Sequence, residues 1–150
     1  MSKVLVTGGA GFIGSHLVER LVGLGHDVTV LDNLSTGDMG NLEPFQSEIT
    51  LIRGDLRDPD AVNEAVAGKD TVFHTAANAS VSLSIEDPVM RCNQNVVATV
   101  GLLTASSDAG VRRLVFSSST SVYGYATNLP VTDAHPLQPA SPYALDKVCC

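Results

Sequence analysis

Short apolar runs alternate with stretches of helical periodicity along the whole chain. Lys3-Val4-Leu5-Val6-Thr7 is a brief apolar run stopped by glycines, the pattern of a strand buried on both faces. From Gly14 onward Leu17, Val18, Leu21 and Val22 recur at helical spacing until Gly23 and Gly25 supply a stop. Val28–Leu31, Ile49–Ile52, Thr71–His74 and Leu114–Ser117 predict four further strands. Between them, Pro59–Ala67 predicts a short helix with Ala61, Val62, Ala65 and Val66 inward. Pro88–Ser107 predicts a long helix with Val96, Val97, Val100, Leu102 and Leu103 as its apolar positions. Strict β-α alternation predicts an α/β fold: a doubly wound parallel sheet with right-handed crossovers and helices on both faces. Residues 124–142, rich in Pro, Thr and Asn and without periodicity, read as an excursion of the kind that is usually functional.

Composition narrows this to one compact domain. The chain has 150 residues, 44% hydrophobic and 17% charged, enough to build a core without disulfides or metal. Its formal charge of −7, with Arg112-Arg113 as an isolated basic pair, argues against nucleic acid as a partner. No apolar run approaches the ~18 residues of a membrane span, and the start lacks the pattern of a signal peptide. Cys92 stands alone and Cys149-Cys150 are vicinal, with no metal-ligand spacing, so reduced thiols and a cytoplasmic location are expected.

Four groups of residues carry chemistry. Gly8-Gly9-Ala10-Gly11-Phe12-Ile13-Gly14 joins a predicted strand to a predicted helix, the context in which glycines let backbone approach a pyrophosphate at a helix N-terminus. Asp32 follows 18 residues after Gly14 at the end of the second strand. A carboxylate there can accept hydrogen bonds from an adenosine ribose, selecting NAD over NADP; capping of the turn at residues 32–35 is the competing reading. Asp55, in Gly54-Asp55-Leu56, fits a purine-edge contact or a helix cap.

Ser141-Pro142 opens a helix that places Tyr143 and Lys147 at i and i+4, on one face. A phenol with a reference pKa near ~10 becomes a useful base beside an ammonium, although Y-x-x-x-K alone is common on solvated helices. Finally, residues 117–121 put a run of hydroxyls at the carboxyl end of the fifth strand, where open α/β sheets bind ligands. A serine-rich turn satisfying its own backbone is the alternative there.

Together with Leu31–Gly37, Val72–Ala77, Glu86-Asp87-Pro88 and Asn93-Gln94-Asn95-Val96, these motifs resemble the extended short-chain dehydrogenase/reductase family of NAD-dependent epimerases and dehydratases. The likeness is strongest to its UDP-glucose 4-epimerase branch. The resemblance implies a Rossmann-like fold holding NAD, with a catalytic trio at Ser119, Tyr143 and Lys147. Tyr143 would take a proton from a sugar hydroxyl as hydride passes to nicotinamide, Lys147 would support the phenolate and the nicotinamide ribose, and Ser119 would bond the reacting oxygen. By the same resemblance Gly8, Gly11, Phe12, Ile13 and Gly14 sit at the pyrophosphate, and Asp32 and Asn33 at the adenosine. Asp55 and Leu56 fall at the purine and Ala76 and Ala77 beside the cofactor, while Asn95 is a structural or cofactor contact.

The partners implied are a nucleotide sugar and, through the long helices, a second copy. Dehydratases of this family carry an acid within the hydroxyl run, and Ser119-Thr120-Ser121 has none, so epimerisation or simple oxidoreduction is expected over elimination of water. Relatives continue beyond the Tyr/Lys helix into a region that grips the sugar, whereas this chain stops three residues after Lys147. These 150 residues therefore predict a Rossmann domain without the last strands and the substrate-binding region, with weak or no turnover alone. A non-catalytic NAD-binding module is the competing class, and a chain that does not fold stably alone is the third expectation.

Overall fold

The structure is a computed structural model that describes residues 1–127 and 129–150. It divides into two compact units, Met1–Ala77 with Gly101–Ser117 and Asn78–Val100 with Ser118–Cys150.

The first unit is built on five parallel strands, β1 (Lys3–Thr7), β2 (Asp27–Asp32), β3 (Ile49–Arg53), β4 (Thr71–His74) and β5 (Arg113–Phe116), in the order β3-β2-β1-β4-β5. β1 is central because its residues bury both faces: Val4, Leu5 and Val6 are all at most 2% exposed. It pairs with β2 from Lys3 opposite Asp27 to Thr7 opposite Leu31, and with β4 from Val4 opposite Thr71 to Thr7 opposite His74. Alternate side chains leave opposite faces of a strand. Val4, Val6, Val28 and Val30 accordingly meet Val18 and Leu21 of α1 (Phe12–Gly23), together with Leu42. Leu5, Leu31 and Val72 meet Val62, Ala65 and Val66 of α2 (Pro59–Val66), together with Leu102. Helices thus cover both faces, as the alternation requires. The chain winds outward from β1 to β3 and then crosses back to β4, so the carboxyl ends of β1 and β4 form the topological switch point at which such sheets hold ligands.

The strands lie within a residue or so of their sequence-derived bounds. The long helix differs more. It comprises α4 (Pro88–Cys92), a wider π turn at Asn93–Val97 and α5 (Ala98–Asp108). Val97, Val100 and Leu103 are exposed, and the buried side of this stretch is Asn95, Ala98, Thr99, Leu102 and Ser106. Of the apolar positions predicted there only Leu102 is fully buried, since the fold presents an adjoining face of small and polar residues, some of which satisfy themselves within the helix. The Thr99 hydroxyl, for example, donates to the Asn95 carbonyl at 2.6 Å. Replacing Leu102, which is 0% exposed, by Ala should lower stability by about 2–5 kcal/mol, measured as a shift of the denaturation midpoint. No measurable shift would remove it from the core.

In the second unit, α3 (Val81–Glu86) has no apolar periodicity to announce it; Ser80 caps it by accepting from the Leu83 amide. α6 (Pro142–Cys149) packs on α3, α4, the π turn and a 3₁₀ turn at Thr120–Tyr123. The excursion after Gly124 is tied back by the Gln138 amide, which donates to the Val122 carbonyl at 2.9 Å.

Candidate functional site

The glycine turn is built by close approach. Gly8 has φ +70°, and a Cβ there would lie 2.7 Å from the backbone of Ala76. A Cβ on Gly14 would collide with the Gly8 carbonyl, which already accepts the Gly11 amide at 3.1 Å. α1 then starts at Phe12 with no side-chain cap and no acidic residue in its first turn. α2, α3, α4 and α6, by contrast, are each capped by the side chain of Asp58, Ser80, Asp87 or Ser141. Uncapped amides beside a glycine cradle fit a pyrophosphate, since the side chains that would satisfy or fill the space are missing at each position.

Asp32, 8% exposed, secures this turn: Oδ2 accepts the buried Ala10 amide at 2.9 Å and Oδ1 accepts the Leu34 amide at 2.8 Å. It therefore does cap its own turn, and a carboxylate's remaining lone pairs still suit a ribose diol. Asp32→Ala should cost about 1–3 kcal/mol for each amide left unpaired. Thermal unfolding measures that loss, and an unchanged midpoint would show that the carboxylate is not what holds the turn.

Asn33 and Asp55 are bonded to one another, Asn33 Nδ2 donating to Asp55 Oδ2 at 2.8 Å. Arg57 adds Nε and Nη2 to the same carboxylate, both at 2.8 Å, and foremost this guanidinium holds Asp55 well below the usual carboxylate range. Of the two sequence readings, the Asp55 carboxylate makes local turn contacts, also accepting the Arg57 amide at 2.9 Å. The cap of α2 is Asp58 instead. Leu56 is half-buried against the second core cluster.

At the end of β4, Thr7 Oγ1 lies 2.7 Å from His74 Nδ1 and takes a longer bond of 3.4 Å from the Ala76 amide. The Thr75 hydroxyl donates to the Thr7 carbonyl at 2.7 Å. Thr7 and His74, both at most 2% exposed, thus fix the segment leading to Ala76 and Ala77. Sequence reasoning missed both, although an isolated polar pair within two buried strands was a visible signal.

The second unit holds the hydroxyl and Tyr/Lys motifs. Ser119 Oγ accepts from the Ser121 amide at 3.2 Å and from the Ser121 hydroxyl at 2.8 Å, capping the 3₁₀ turn that packs on α6. Tyr143 is 8% and Lys147 6% exposed, so the pair lies on the buried side of α6 and not on a solvated one. The Tyr143 amide donates to Ser84 Oγ at 3.1 Å, fixing the first turn. Burial pushes the Lys147 ammonium below its ordinary range. Asn95 accepts the Asn78 amide at 2.9 Å through Oδ1 and donates through Nδ2 to Asp146 at 2.9 Å. Ser84, Asn78 and Asp146 were not singled out from sequence, because each matters through a partner far along the chain.

Among the described residues no group of three His, Cys, Asp or Glu side chains could hold a metal ion, and no helix is long and apolar enough to cross a membrane. Cys92, Cys149 and Cys150 are free thiols.

Comparison with known proteins adds the following. The sequence model of the NAD dependent epimerase/dehydratase family matches residues 4–150. A putative UDP-glucose 4-epimerase of Methanocaldococcus jannaschii is 42% identical over 147 residues, covering 96% of this chain and 47% of the relative. The structure of Thermus thermophilus UDP-glucose 4-epimerase in complex with NAD superposes with a TM-score of 0.87 at 43% identity, covering 97% of this chain and 47% of that one. A dTDP-glucose 4,6-dehydratase from Streptomyces venezuelae, with NAD bound, reaches a TM-score of 0.92 at 38% identity, with 98% and 48% covered. The chain spans about half the length of the relatives it matches.

Proposed function

We propose, from the premise that this chain belongs to the NAD dependent epimerase/dehydratase family, that it is the cofactor-binding and catalytic part of a UDP-glucose/UDP-galactose 4-epimerase. The observation that carries this reading is the burial of Tyr143 and Lys147 on one face of α6, packed on the turn capped by Ser119. Residues 1–150 act as an NAD-binding Rossmann domain, with the substrate-binding region outside them.

Backbone amides at Phe12, Ile13 and Gly14 hold the pyrophosphate in the cradle that Gly8 and Gly11 shape, while Asp32 and Asn33 hold the adenosine ribose, excluding a 2′-phosphate by like charge. Asp55 and Leu56 border the purine, Ala76 and Ala77 line the cofactor, and Tyr143 and Lys147 reach the nicotinamide ribose; of the structural and cofactor roles open to Asn95, its bonds to Asn78 and Asp146 support the structural one. When bound, NAD supplies a reversible hydride acceptor. Tyr143 removes the proton of the sugar 4-hydroxyl and returns it after the keto sugar has turned over. Lys147 favours the phenolate by its charge, and Ser119 donates to the reacting oxygen.

Fold likeness alone does not separate epimerase from dehydratase, since one of each superposes well. The hydroxyl run supports epimerisation or simple oxidoreduction: Ser119-Thr120-Ser121 has no carboxylate to act as the added acid that expels water. The exposed stripe Val97, Val100 and Leu103, at i, i+3 and i+6 on consecutive helical turns, supports a homodimer with these faces paired. The net charge of −7 supports a protein that does not bind nucleic acid, and the free thiols suit a cytoplasmic one.

The test is to supply the intact protein with NAD and UDP-galactose. UDP-glucose should form with no net reduction of NAD. Release of water would make it a dehydratase, and NAD binding with no response to any nucleotide sugar would make it a binding module.

A further inference from the structure

After β2 the chain folds back over the glycine turn and binds it at Ala10. The Ala10 carbonyl accepts the Asp38 amide at 3.1 Å and Asn41 Nδ2 at 2.9 Å. The Ala10 amide donates to Asp32 Oδ2, so both backbone polar groups of this residue are engaged by the segment from Asp32 to Asn41. Ala10 is 0% exposed, and a Cβ on Gly37 would lie 2.8 Å from the Ala10 Cβ, so the segment also packs closely on it. Leu42, equally buried, shares a core cluster with Ala10, Val6 and Val30, which anchors the chain immediately after Asn41.

A carbonyl and the amide of the following residue lie in one peptide plane, so a donor that fixes the oxygen also fixes where the N–H points. The Ala10 carbonyl shares its plane with the Gly11 amide, and that amide donates to the Gly8 carbonyl at 3.1 Å. A peptide ahead of glycine is comparatively free to flip, because glycine accepts φ of either sign. A flip here would withdraw the Gly11 N–H from Gly8 and turn a carbonyl oxygen toward it. Asn41 and the Asp38 amide together occupy both lone pairs of the Ala10 oxygen and oppose that rotation. The Gly11 carbonyl in turn accepts the Ser15 amide at 2.9 Å, so the plane set at Ala10 leads directly into the first turn of α1.

We infer that Asn41 is a positioning residue for the cofactor: with the Asp38 amide it holds the Ala10–Gly11 peptide in the orientation that lets the following amides face the pyrophosphate. It acts through Ala10, from 31 residues away in the chain. The inference rests on the turn being the pyrophosphate site and adds a side chain that governs its shape.

The intact protein and its Asn41→Ala variant, both 15N-labelled, are titrated with NAD and separately with adenosine, which lacks the pyrophosphate. Without ligand, the Gly11 amide resonance should shift and its hydrogen exchange quicken in the variant. NAD affinity should fall by at least about threefold, as for loss of one hydrogen bond, while adenosine affinity stays within about twofold. A smaller change in NAD affinity in a folded variant overturns the inference. So does a parallel loss for both ligands, because a general loosening of the loop would also disturb Asp32 and Asn33, proposed to hold the ribose. If Asn41→Ala does not fold, the unsubstituted protein decides: the scalar coupling across the hydrogen bond from Asn41 Nδ2 to the Ala10 carbonyl must persist when NAD is bound, and its disappearance overturns the inference. Failure of the unsubstituted protein to bind NAD would instead overturn the cofactor reading and leave the Gly11 comparison standing, so the two failures are distinguishable.

Discussion

Tyr143→Phe is expected to lower turnover of the intact enzyme by about 10²–10⁴-fold, the range for removal of a general acid-base group. The replacement is close to isosteric, and what fixes this residue is unaffected by it. Its amide bonds to Ser84 Oγ, and its ring is buried on α6. NAD affinity and the unfolding midpoint should therefore stay near those of the unsubstituted protein, and the whole effect should fall on kcat. Steady-state kinetics beside calorimetric titration with NAD separate the two quantities. Unchanged turnover would reassign the base, and lost NAD binding would show that the phenol holds the cofactor more than it moves the proton.

Gly14→Ala should abolish NAD binding, by at least about 100-fold, and destabilise the first unit by about 3 kcal/mol, the upper end for overpacking. The added methyl would collide with the Gly8 carbonyl and lie 2.8 Å from Gly9 Cα. These are backbone atoms that cannot swing aside. Gly8 is tied by its amide to the Leu31 carbonyl at 2.9 Å, by its carbonyl to the Gly11 amide and by contact distance to Ala76. The first turn of α1 would have to move away from the cradle, and the amides proposed to meet the pyrophosphate would move with it. Urea denaturation with calorimetry checks both halves, and a Gly14→Ala protein that binds NAD within about twofold of normal would contradict this account of the turn. Gly23 is the natural control, with nothing within 4 Å of a Cβ there.

The elements that were legible in advance are those whose signal is local. β1 and its glycine turn are read directly, because a fully buried strand is a continuous apolar run and only glycine permits φ +70° beside the Ala76 backbone. β4 begins and ends where its apolar run does. The start of α6 was marked by Ser141 and Pro142, and the structure shows Ser141 Oγ accepting the Ala144 amide at 3.1 Å.

The long helix was legible in extent but not in orientation. Its most apolar positions, Val97, Val100 and Leu103, face outward, while Thr99 and Ser106 go in. Hydrophobicity ranks residues one at a time, whereas the buried face is chosen by what packs against it.

By itself, then, the sequence determined the β-α order, the parallel sheet, the glycine turn, the hydroxyl run at residues 117–121 and the i, i+4 pair Tyr143 and Lys147, since each is encoded in contiguous residues or a fixed helical spacing, while the choice of Ser119 came from the family resemblance. Tertiary structure decided that Asp32 fastens the turn at Ala10, 22 residues away. It also brought Thr7 onto His74 across 67 residues and Asn95 onto Asp146 across 51. Such pairings leave no periodic trace, because a buried polar atom is stabilised by whichever partner the fold delivers and the chain between the two can have any pattern.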